Sequence, residues 1–347
     1  MLDKIKGFFI SIIRENYKMI IFFIIFFLII NYPVPYYVFT SGGITDLSQR
    51  FEIEDSYEQE GSYNLSYVNQ VEGNVLTYLI AKVVPSWEII EVEKYQYNDD
   101  ESLEELSIRD KLSLAGANQT AVMIAYDKAG KNIIINDKRT YVYATYDFID
   151  SNVKIKAGDV LVSIDGIVFD DFSQIRELIQ SKEVGDTIEF EFQRGNNNYI
   201  ASVLIQEVND VKVVGLMFTT IYDYEVEPSI TFNFRDSESG SSAGLMTTLA
   251  IYDSLIPEDL TNGLKIAGTG TIEADSSIGQ IGGIKYKLAG AVSDDADIFF
   301  APSGENYEEA IKIKKDKKYK IKIVEVKTLD DAINYLKNIK NNWFIFL

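Results

Sequence analysis

The sequence predicts an α+β protein of several domains that follows an apolar N-terminal helix. Three observations lead to this prediction. An uncharged run stands near the chain start, residues 131–205 carry a strand and helix pattern complete in itself, and small-residue loops alternate with strands and helices from residue 206 onward. With 347 residues, 46% of them hydrophobic, the chain has material for more than one core.

The composition excludes most of the common types of catalytic site. The chain has no histidine and no cysteine, which excludes a Ser-His-Asp triad, a Cys-His pair and a zinc site built on those ligands. No ligand set for a metal-dependent or aspartic hydrolase is recognisable, and no cofactor is expected. The formal net charge of -20 argues against a nucleic-acid partner, which needs a concentrated basic surface. A serine activated by a lysine amine is the nucleophilic design that survives.

The N-terminal segment predicts a membrane anchor. Residues 19–30 are uncharged and apolar on every helical face, and softer residues extend the run to Phe39. Basic residues precede the run and an acidic segment follows it, which favours a single-pass orientation with the bulk of the chain outside the cytoplasm. A cleaved signal peptide and a buried helix remain open as alternatives, although no small-x-small cleavage site follows the run. Membrane lipid is therefore an expected partner.

The next segments carry weaker signals. We expect residues 1–40 to form the cytoplasmic tip and transmembrane anchor, and residues 41–60, which are polar and acidic, to form a juxtamembrane linker with some local structure. Residues 61–130 should contain a strand near Tyr63 and a helix over residues 118–128. The stretch 97–110 is dense in acidic residues, and we expect it to be exposed.

Residues 131–205 combine strands, tight turns and one helix. An Ala-Gly-Asp-Val-Leu run at residues 157–161 is followed by Ile-Asp-Gly at residues 164–166. This order resembles a PDZ domain of the type associated with bacterial proteases. The resemblance implies peptide binding between a sheet edge at residues 141–145 and a helix wall at residues 175–179. The candidate residues are Tyr141, Val142, Tyr143, Ile175 and Ile179.

This segment departs from the PDZ pattern in one respect. No glycine-rich carboxylate-binding loop precedes the expected edge strand at residues 141–145. Capture of a free C-terminus is therefore in doubt, and binding of an internal segment or steric gating stays open.

A small-residue loop at residues 236–244 leads into an expected helix at residues 245–255, so Ser242 stands where the loop becomes a helix. Free backbone N-H groups and the helix dipole at such a position suit an oxyanion. Two other interpretations exist. Ser241 or Ser242 could cap the helix, as serine commonly does. A phosphate loop is the third, but the Gly-Lys-Ser/Thr of a nucleotide-binding loop is missing.

A second helix, expected from Ile284, carries Lys285 and Lys287. Two positions two residues apart are separated by about 200° on a helix, so only one of these lysines can face the serine. Lys287 precedes the small residues Gly290 and Ala291, whereas Lys285 is more simply interpreted as solvated. A lysine acting as a base must be neutral, which requires burial. The alternative is that both are ordinary surface lysines.

Three motifs in order resemble the proteolytic domain of Lon-type serine proteases: Ser-Ala-Gly at 242–244, Gly-Thr-Gly-Thr-Ile at 268–272 and Gly-Gly-Ile-Lys-Tyr-Lys at 282–287. The resemblance implies a ribosomal protein S5 domain 2-like fold, Ser242 as nucleophile, Lys287 as base and Thr269 as a lining residue. Gly240 and Ser241 would also line the site. The family's Gly-Pro-Ser-Ala-Gly reads Gly-Ser-Ser-Ala-Gly here, and the acidic residue usual before it is displaced.

Taken together, the chain is similar to the membrane-anchored PDZ and Lon-like serine proteases of Gram-positive bacteria (the YlbL and SepM type). This implies a PDZ-like domain at 131–205 inserted in a catalytic domain made of residues 61–130 and 206–341. Residues 342–347 form an apolar tail of no assigned role. No Walker A motif occurs, so ATP is not expected as a partner.

We therefore expect an ATP-independent serine endopeptidase that cleaves exported peptides or proteins, and a second copy of this chain is a candidate partner. The alternative is a catalytically inactive, membrane-tethered PDZ scaffold that binds peptides.

Overall fold

The computed structural model describes residues 2–169 and 172–345. The helices, in chain order, are α1 Leu2–Ile30, α2 Val75–Val83, α3 Leu103–Lys128, α4 Phe172–Ser181, α5 Gly244–Ser254, α6 Ile284–Ser293, α7 Glu305–Lys317 and α8 Leu329–Ile345. The strands are β1 Pro33–Asp46, β2 Phe51–Ile53, β3 Ser62–Asn74, β4 Glu88–Glu91, β5 Asn132–Thr145, β6 Val160–Ile164, β7 Thr187–Arg194, β8 Asn197–Leu204, β9 Gln206–Val208, β10 Val211–Val213, β11 Leu216–Glu227, β12 Ile230–Phe232, β13 Lys265–Gly268, β14 Thr271–Ile272, β15 Ile278–Gly279, β16 Ile298–Pro302 and β17 Lys322–Val326.

This mixture of helices and strands confirms the predicted α+β class. The chain divides into two compact units, the first comprising residues 1–41 and 68–95 and the second residues 42–67 and 96–347. The ends of the predicted apolar tail, Phe346 and Leu347, and Met1 at the chain start lie outside the described residues.

The first unit contains α1, α2 and the antiparallel pair of β1 with β4. Large apolar side chains of α1 are exposed, among them Phe22 at 62% and Leu28 at 63%. Helix α2 begins with a capping box, in which Asn74 and Thr77 each bond the other's backbone N-H.

Within the described ranges 2–169 and 172–345, no helix combines the length and the apolar character that crossing a membrane requires.

The core of the second unit is a parallel sheet in the order β17-β16-β13-β3, and helices cover both of its faces. Successive residues of a strand point to opposite faces, so Ile266 packs with α3, α5 and α8, while Ala267 packs with α6 and α7. Every residue of α5 is buried, which explains why its apolar residues are not confined to one face of the helix. Helices α5 and α6 therefore approach the sheet from opposite sides.

Helix α3 corrects part of the expectation of an exposed acidic stretch at residues 97–110. It begins at Leu103 behind a capping box of Ser102 and Glu105. Arg109 and Glu101 are both buried and form an ion pair at 2.8 Å. Glu101 is buried because it has this cationic partner, and Glu105 because it closes the helix cap, whereas Asp99, Asp100 and Glu104 are exposed. The composition does not show these contacts.

The segment 41–60, expected to be a juxtamembrane linker with some local structure, contains more packed structure than a linker. Its first residues complete β1, a 3-10 turn covers Leu47–Gln49, and β2 follows. Leu47 and Phe51 are buried in the main core. The apolar residues of this segment are isolated between polar or charged ones, so the sequence pattern did not predict that it packs in the core.

A second sheet, in the order β11-β5-β6-β7-β8, has its own apolar core with α4. Strand β5, which holds Tyr141, Val142 and Tyr143, pairs with β11 on one side and β6 on the other. The prediction that residues 141–145 form the sheet edge is therefore wrong. Strand β11 occupies that edge, because the chain returns after β10 and adds one more strand.

A buried carboxyl group at the end of α5 generates a stability prediction. Burial raises the pKa of Asp253 to about 7, and its Oδ1 accepts a hydrogen bond from the Leu260 N-H at 3.0 Å. Since the folded pKa lies above the unfolded value of 3.8, stability should fall as pH rises from about 4 to 7, by about 1.4 kcal/mol per pH unit at most. Asp253→Asn keeps an acceptor and should remove this fall.

The measurement is urea unfolding between pH 4.5 and 8, with Asp316→Asn on the exposed face of α7 as the matched control. A wild-type slope that survives in Asp253→Asn would contradict the assignment.

Candidate active site

The nucleophile candidate stands at the start of α5. A loop after β12 reaches Gly240, whose φ of 86° is in the left-handed region that glycine tolerates. Ser242 follows, half-buried, and Ala243 is the N-cap residue without any side-chain cap bond. Neither Ser241 nor Ser242 caps α5 through its hydroxyl, so the interpretation of these serines as helix caps is wrong.

The two lysines of α6 have different environments. Lys287 is only 5% exposed, whereas Lys285 is exposed and its Nζ lies 4.8 Å from the centre of the Tyr286 ring. Lys287 is brought inside because the small face of α6 packs closely, with a Cβ at Gly290 meeting the Gly43 backbone at 3.0 Å.

Ser242 and Lys287 meet beyond the carboxyl end of β13. The distance from Lys287 Nζ to Ser242 Oγ is 2.6 Å, and that from Lys287 Nζ to Thr269 Oγ1 is 3.0 Å. The loop that leads into α5 supplies the serine from one side of the sheet, α6 supplies the lysine from the other, and Thr269 directly follows β13. Three separate elements therefore converge on one amine.

The Thr269 hydroxyl determines how the amine is oriented. Thr269 is fully buried, and its hydroxyl donates to the Ser242 carbonyl at 3.0 Å. Because that donation uses its single proton, it can only accept from Lys287. One N-H of the amine is thus directed at Thr269, and in the neutral amine the lone pair is available to the Ser242 hydroxyl.

The backbone of Ser242 is held in place as well. Its carbonyl also accepts from the Gly270 N-H at 2.9 Å, and Leu245 N donates to Gly270 O at 3.0 Å. Gly244 allows this approach, since a Cβ there would lie 2.9 Å from the Ile272 nitrogen. The start of α5 is thus tied to the segment after β13 by direct backbone bonds.

The electrostatics of the site follow from burial alone. Desolvation lowers the pKa of Lys287 from 10.5 to about 8. The salt bridges among the described residues include none to Lys287, so no carboxylate restores its charge. A substantial fraction of the amine is neutral near pH 8, the state that a general base needs.

Donors for a developing negative charge are also available. Across the described ranges, the backbone N-H groups of Ser242 and Ala243 donate to no protein acceptor. Gly240 and Ser241, predicted to line the site, precede them in the same loop; the Gly240 N-H is bound to Asp110 O at 3.0 Å, and Ser241 O accepts from Gly244 N at 3.1 Å. This arrangement can stabilise an oxyanion beside Ser242.

Two contacts to the loop before Ser242 escaped the sequence analysis. The Asp110 carbonyl on α3 binds Gly240, and Arg50 forms an ion pair with Glu238 at 2.9 Å. The sequence motifs assign no role to Glu238 of this loop. Nothing in the local sequence around Arg50 or Asp110 connects them to it.

The candidate peptide-binding residues belong to the second sheet and its helix. Ile175 is buried in that core and Ile179 packs against it, together with Leu216 and Phe218 of the edge strand β11. The rings of Phe172 and Phe218 lie 6.1 Å apart. The first residues of β11, rather than Tyr141, Val142 and Tyr143, thus form the exposed sheet edge beside α4.

Comparisons with known proteins identify the domain formed by the second sheet and α4. The family model of the PDZ domain matches residues 127–205. Among solved structures, the PDZ domain of an SdrC-like protein from Listeria monocytogenes is 24% identical with a TM-score of 0.22, covering 24% of this chain and 92% of that one. The second domain of the Listeria protein Lin2157 is 25% identical with a TM-score of 0.22, covering 24% and 87%.

A search of curated proteins found no match. The chain contains a PDZ domain, which confirms that part of the sequence prediction. PDZ domains bind peptides by adding an extended strand to a sheet edge. The family match ends before β11 and before Ser242 and Lys287, so the Lon-type resemblance is carried forward as a proposal.

The burial of Lys287 predicts a stability gain when the amine is removed. Because its folded pKa of about 8 lies below the unfolded 10.5, the native protein gains stability as pH rises from 8 to 10.5. Lys287→Met should therefore be more stable than wild type below pH 8, by up to about 3 kcal/mol, and the difference should shrink toward pH 10.5.

Denaturant unfolding at pH 7, 8.5 and 10 measures this difference, with Lys285→Met as the exposed control. A Lys287→Met protein that is less stable at pH 7 and has the pH dependence of wild type would show that burial does not depress this pKa.

Proposed function

We propose that this protein is an ATP-independent serine endopeptidase in which Ser242 is the nucleophile and Lys287 its general base. The observation that carries the proposal is the 2.6 Å contact between Lys287 Nζ and Ser242 Oγ in a buried setting that lowers the pKa of the lysine. The order of the three motifs around these residues, which resembles Lon-type proteases, supports the same conclusion.

The proposed reaction uses groups already in contact. Lys287 Nζ accepts the Ser242 proton while Oγ attacks a peptide carbonyl, and the N-H groups of Ser242 and Ala243 bind the resulting oxyanion. The lysine ammonium then protonates the leaving amine as the C-N bond breaks. Water attacks the acyl-enzyme, gives its proton to Lys287 and releases the acid, and the proton returns to Ser242. Thr269 keeps the amine oriented throughout.

The substrate class follows from what the chain lacks in sequence. Without a Walker A motif it has no recognisable means of unfolding a substrate with ATP, so the substrate must be a flexible peptide or an accessible loop. The PDZ domain is a suitable module for bringing such a segment in. Its edge strand β11 and helix α4 are the two elements that strand addition would use.

Structural detail limits where a peptide could add to β11. The Gln119 side chain on α3 donates to Thr220 O and accepts from Tyr222 N, both at 2.9 Å. These contacts occupy backbone groups of β11 from Thr220 onward. A peptide would therefore pair with residues 216–219, directly after Gly215.

The location of the reaction is a further part of the proposal. The exposed apolar side chains of α1 and the basic residues that precede them in the sequence support attachment to a membrane with the site outside the cytoplasm.

A peptide-binding scaffold without catalysis is the second candidate, and the PDZ domain itself favours it. Such a scaffold would not require an uncompensated buried lysine at a serine hydroxyl. The two candidates differ in the reactivity of Ser242.

A fluorophosphonate probe should label wild type at Ser242, as located by mass spectrometry of the modified peptide. Ser242→Ala should not be labelled, while Ser241→Ala, the neighbouring control, should be. Lys287→Met should be labelled about 100-fold more slowly, since a general base contributes about 10²- to 10⁴-fold. The wild-type rate should rise with pH and level off above about pH 8, the pKa of Lys287.

Lys285→Met serves as the control for Lys287→Met and should behave as wild type. A wild type that stays unlabelled at pH 9, yet binds peptides, would support the scaffold instead.

Peptide binding should depend on β11 and α4. Leu216→Glu and Ile179→Glu should each weaken binding of a short apolar peptide at least about tenfold, because a charge would enter the apolar contact. Ile200→Glu, on the exposed part of β8 at the opposite sheet edge, is the matched control. Titration calorimetry measures the binding, and comparing peptides with free and amidated C-termini separates C-terminal capture from internal-segment binding. An equal loss of affinity in all three variants would refute binding between β11 and α4.

A further inference from the structure

The loop between β12 and α5 must place Ser242 although it has little regular structure. Its central part, residues 234–240, is supported by two backbone bonds, from Glu238 N to Arg235 O at 2.9 Å and from Gly240 N to Asp110 O at 3.0 Å. A loop so sparsely bonded would sample many positions unless side chains restrained it.

One ion pair supplies that restraint. Arg50 Nε and Nη2 each lie 2.9 Å from Glu238 Oε1. The other oxygen of the same carboxylate, Oε2, accepts from the Arg235 N-H at 2.8 Å. The Glu238 carboxylate thus joins the first part of the loop to Arg50.

Arg50 is itself rigidly held. It is 4% exposed, its Nη1 donates to Gln49 O at 3.2 Å, and its carbonyl accepts from the Asn233 N-H at 2.8 Å. The strand that follows it, β2, pairs with β12, the strand that leads into the loop. The guanidinium is therefore anchored to the same two-stranded sheet, β2 with β12, from which the loop departs.

We propose that Arg50 and Glu238 are positioning residues for Ser242. They hold the loop so that the Ser242 hydroxyl stays within hydrogen-bond distance of Lys287. The effect of this ion pair on the reaction rate rests on the proposed function, whereas its effect on the loop does not. The buried guanidinium of Arg50 needs a carboxylate partner, which is Glu238. Because this ion pair holds the Glu238 carboxylate beside Arg50, it also restrains the conformation of the loop that carries Glu238. A displacement of about 1 Å at a nucleophile costs about 10²-fold in rate.

The first test measures rate. Glu238→Gln and Arg50→Gln should each slow probe labelling of Ser242 about 10- to 100-fold, and any peptide cleavage should lose kcat with KM unchanged. The charge-reversed double variant R50E/E238R should recover part of the lost rate. Asp165→Asn, which removes the half-exposed ion pair with Lys182 at 2.8 Å in the PDZ domain, is the control and should label as wild type.

The second test does not need activity. Hydrogen-deuterium exchange of a peptide covering residues 235–244 should be faster in Glu238→Gln than in wild type, and equally so in the Ser242→Ala background. Wild-type labelling and wild-type exchange in both single variants would overturn the proposal. A lower Tm with unchanged labelling per folded molecule would overturn it too, since that outcome describes a purely structural ion pair.

Failure of the wild type to react with the probe would refute the proposed function, and with it the effect on rate. The exchange measurement would still decide whether this ion pair holds the loop.

Discussion

The site depends on burying one lysine amine without a compensating carboxylate. Desolvation alone brings the pKa of Lys287 to about 8, and within the described structure its amine forms hydrogen bonds with the hydroxyls of Ser242 and Thr269. A neighbouring carboxylate would have raised the pKa and kept the amine charged. Complete burial of the amine on all sides would instead have kept the Ser242 hydroxyl away from it. The structure desolvates Lys287 by packing α6 closely through its small residues, and it leaves Ser242 half-buried beside the amine.

A second constraint is that α3 touches both the PDZ sheet and the loop of the nucleophile. Gln119 binds two backbone groups of β11, Ser113 lies 2.9 Å from the Tyr143 hydroxyl, and Asp110 binds Gly240. The helix is continuous between these contacts. Its position is therefore shared by the strand that would receive a peptide and the loop that carries Ser242, so neither can be rearranged without affecting α3.

Local patterns predicted some features well and others poorly. The PDZ domain was recognisable because its turns need glycine and its strands alternate, both of which are local properties. The edge of its sheet was assigned wrongly, because the edge strand β11 comes from beyond the recognisable segment. Residues 97–110 were expected to be exposed from their charge, yet Glu101 and Arg109 neutralise each other in the interior.

By itself the sequence determined the available chemistry: without histidine and cysteine, and with serine and lysine in ordered small-residue motifs, a hydroxyl and an amine were the groups to consider. The resemblance of its motifs to Lon-type proteases pointed to Ser242 and Lys287, but the sequence could not show that these two side chains meet, or what holds the loop that carries Ser242. Both depend on three elements from both faces of a sheet and on Arg50, nearly 200 residues before Ser242. Burial and contact are properties of the packed chain, and only the tertiary structure shows that Lys287 is desolvated while Lys285 remains in water.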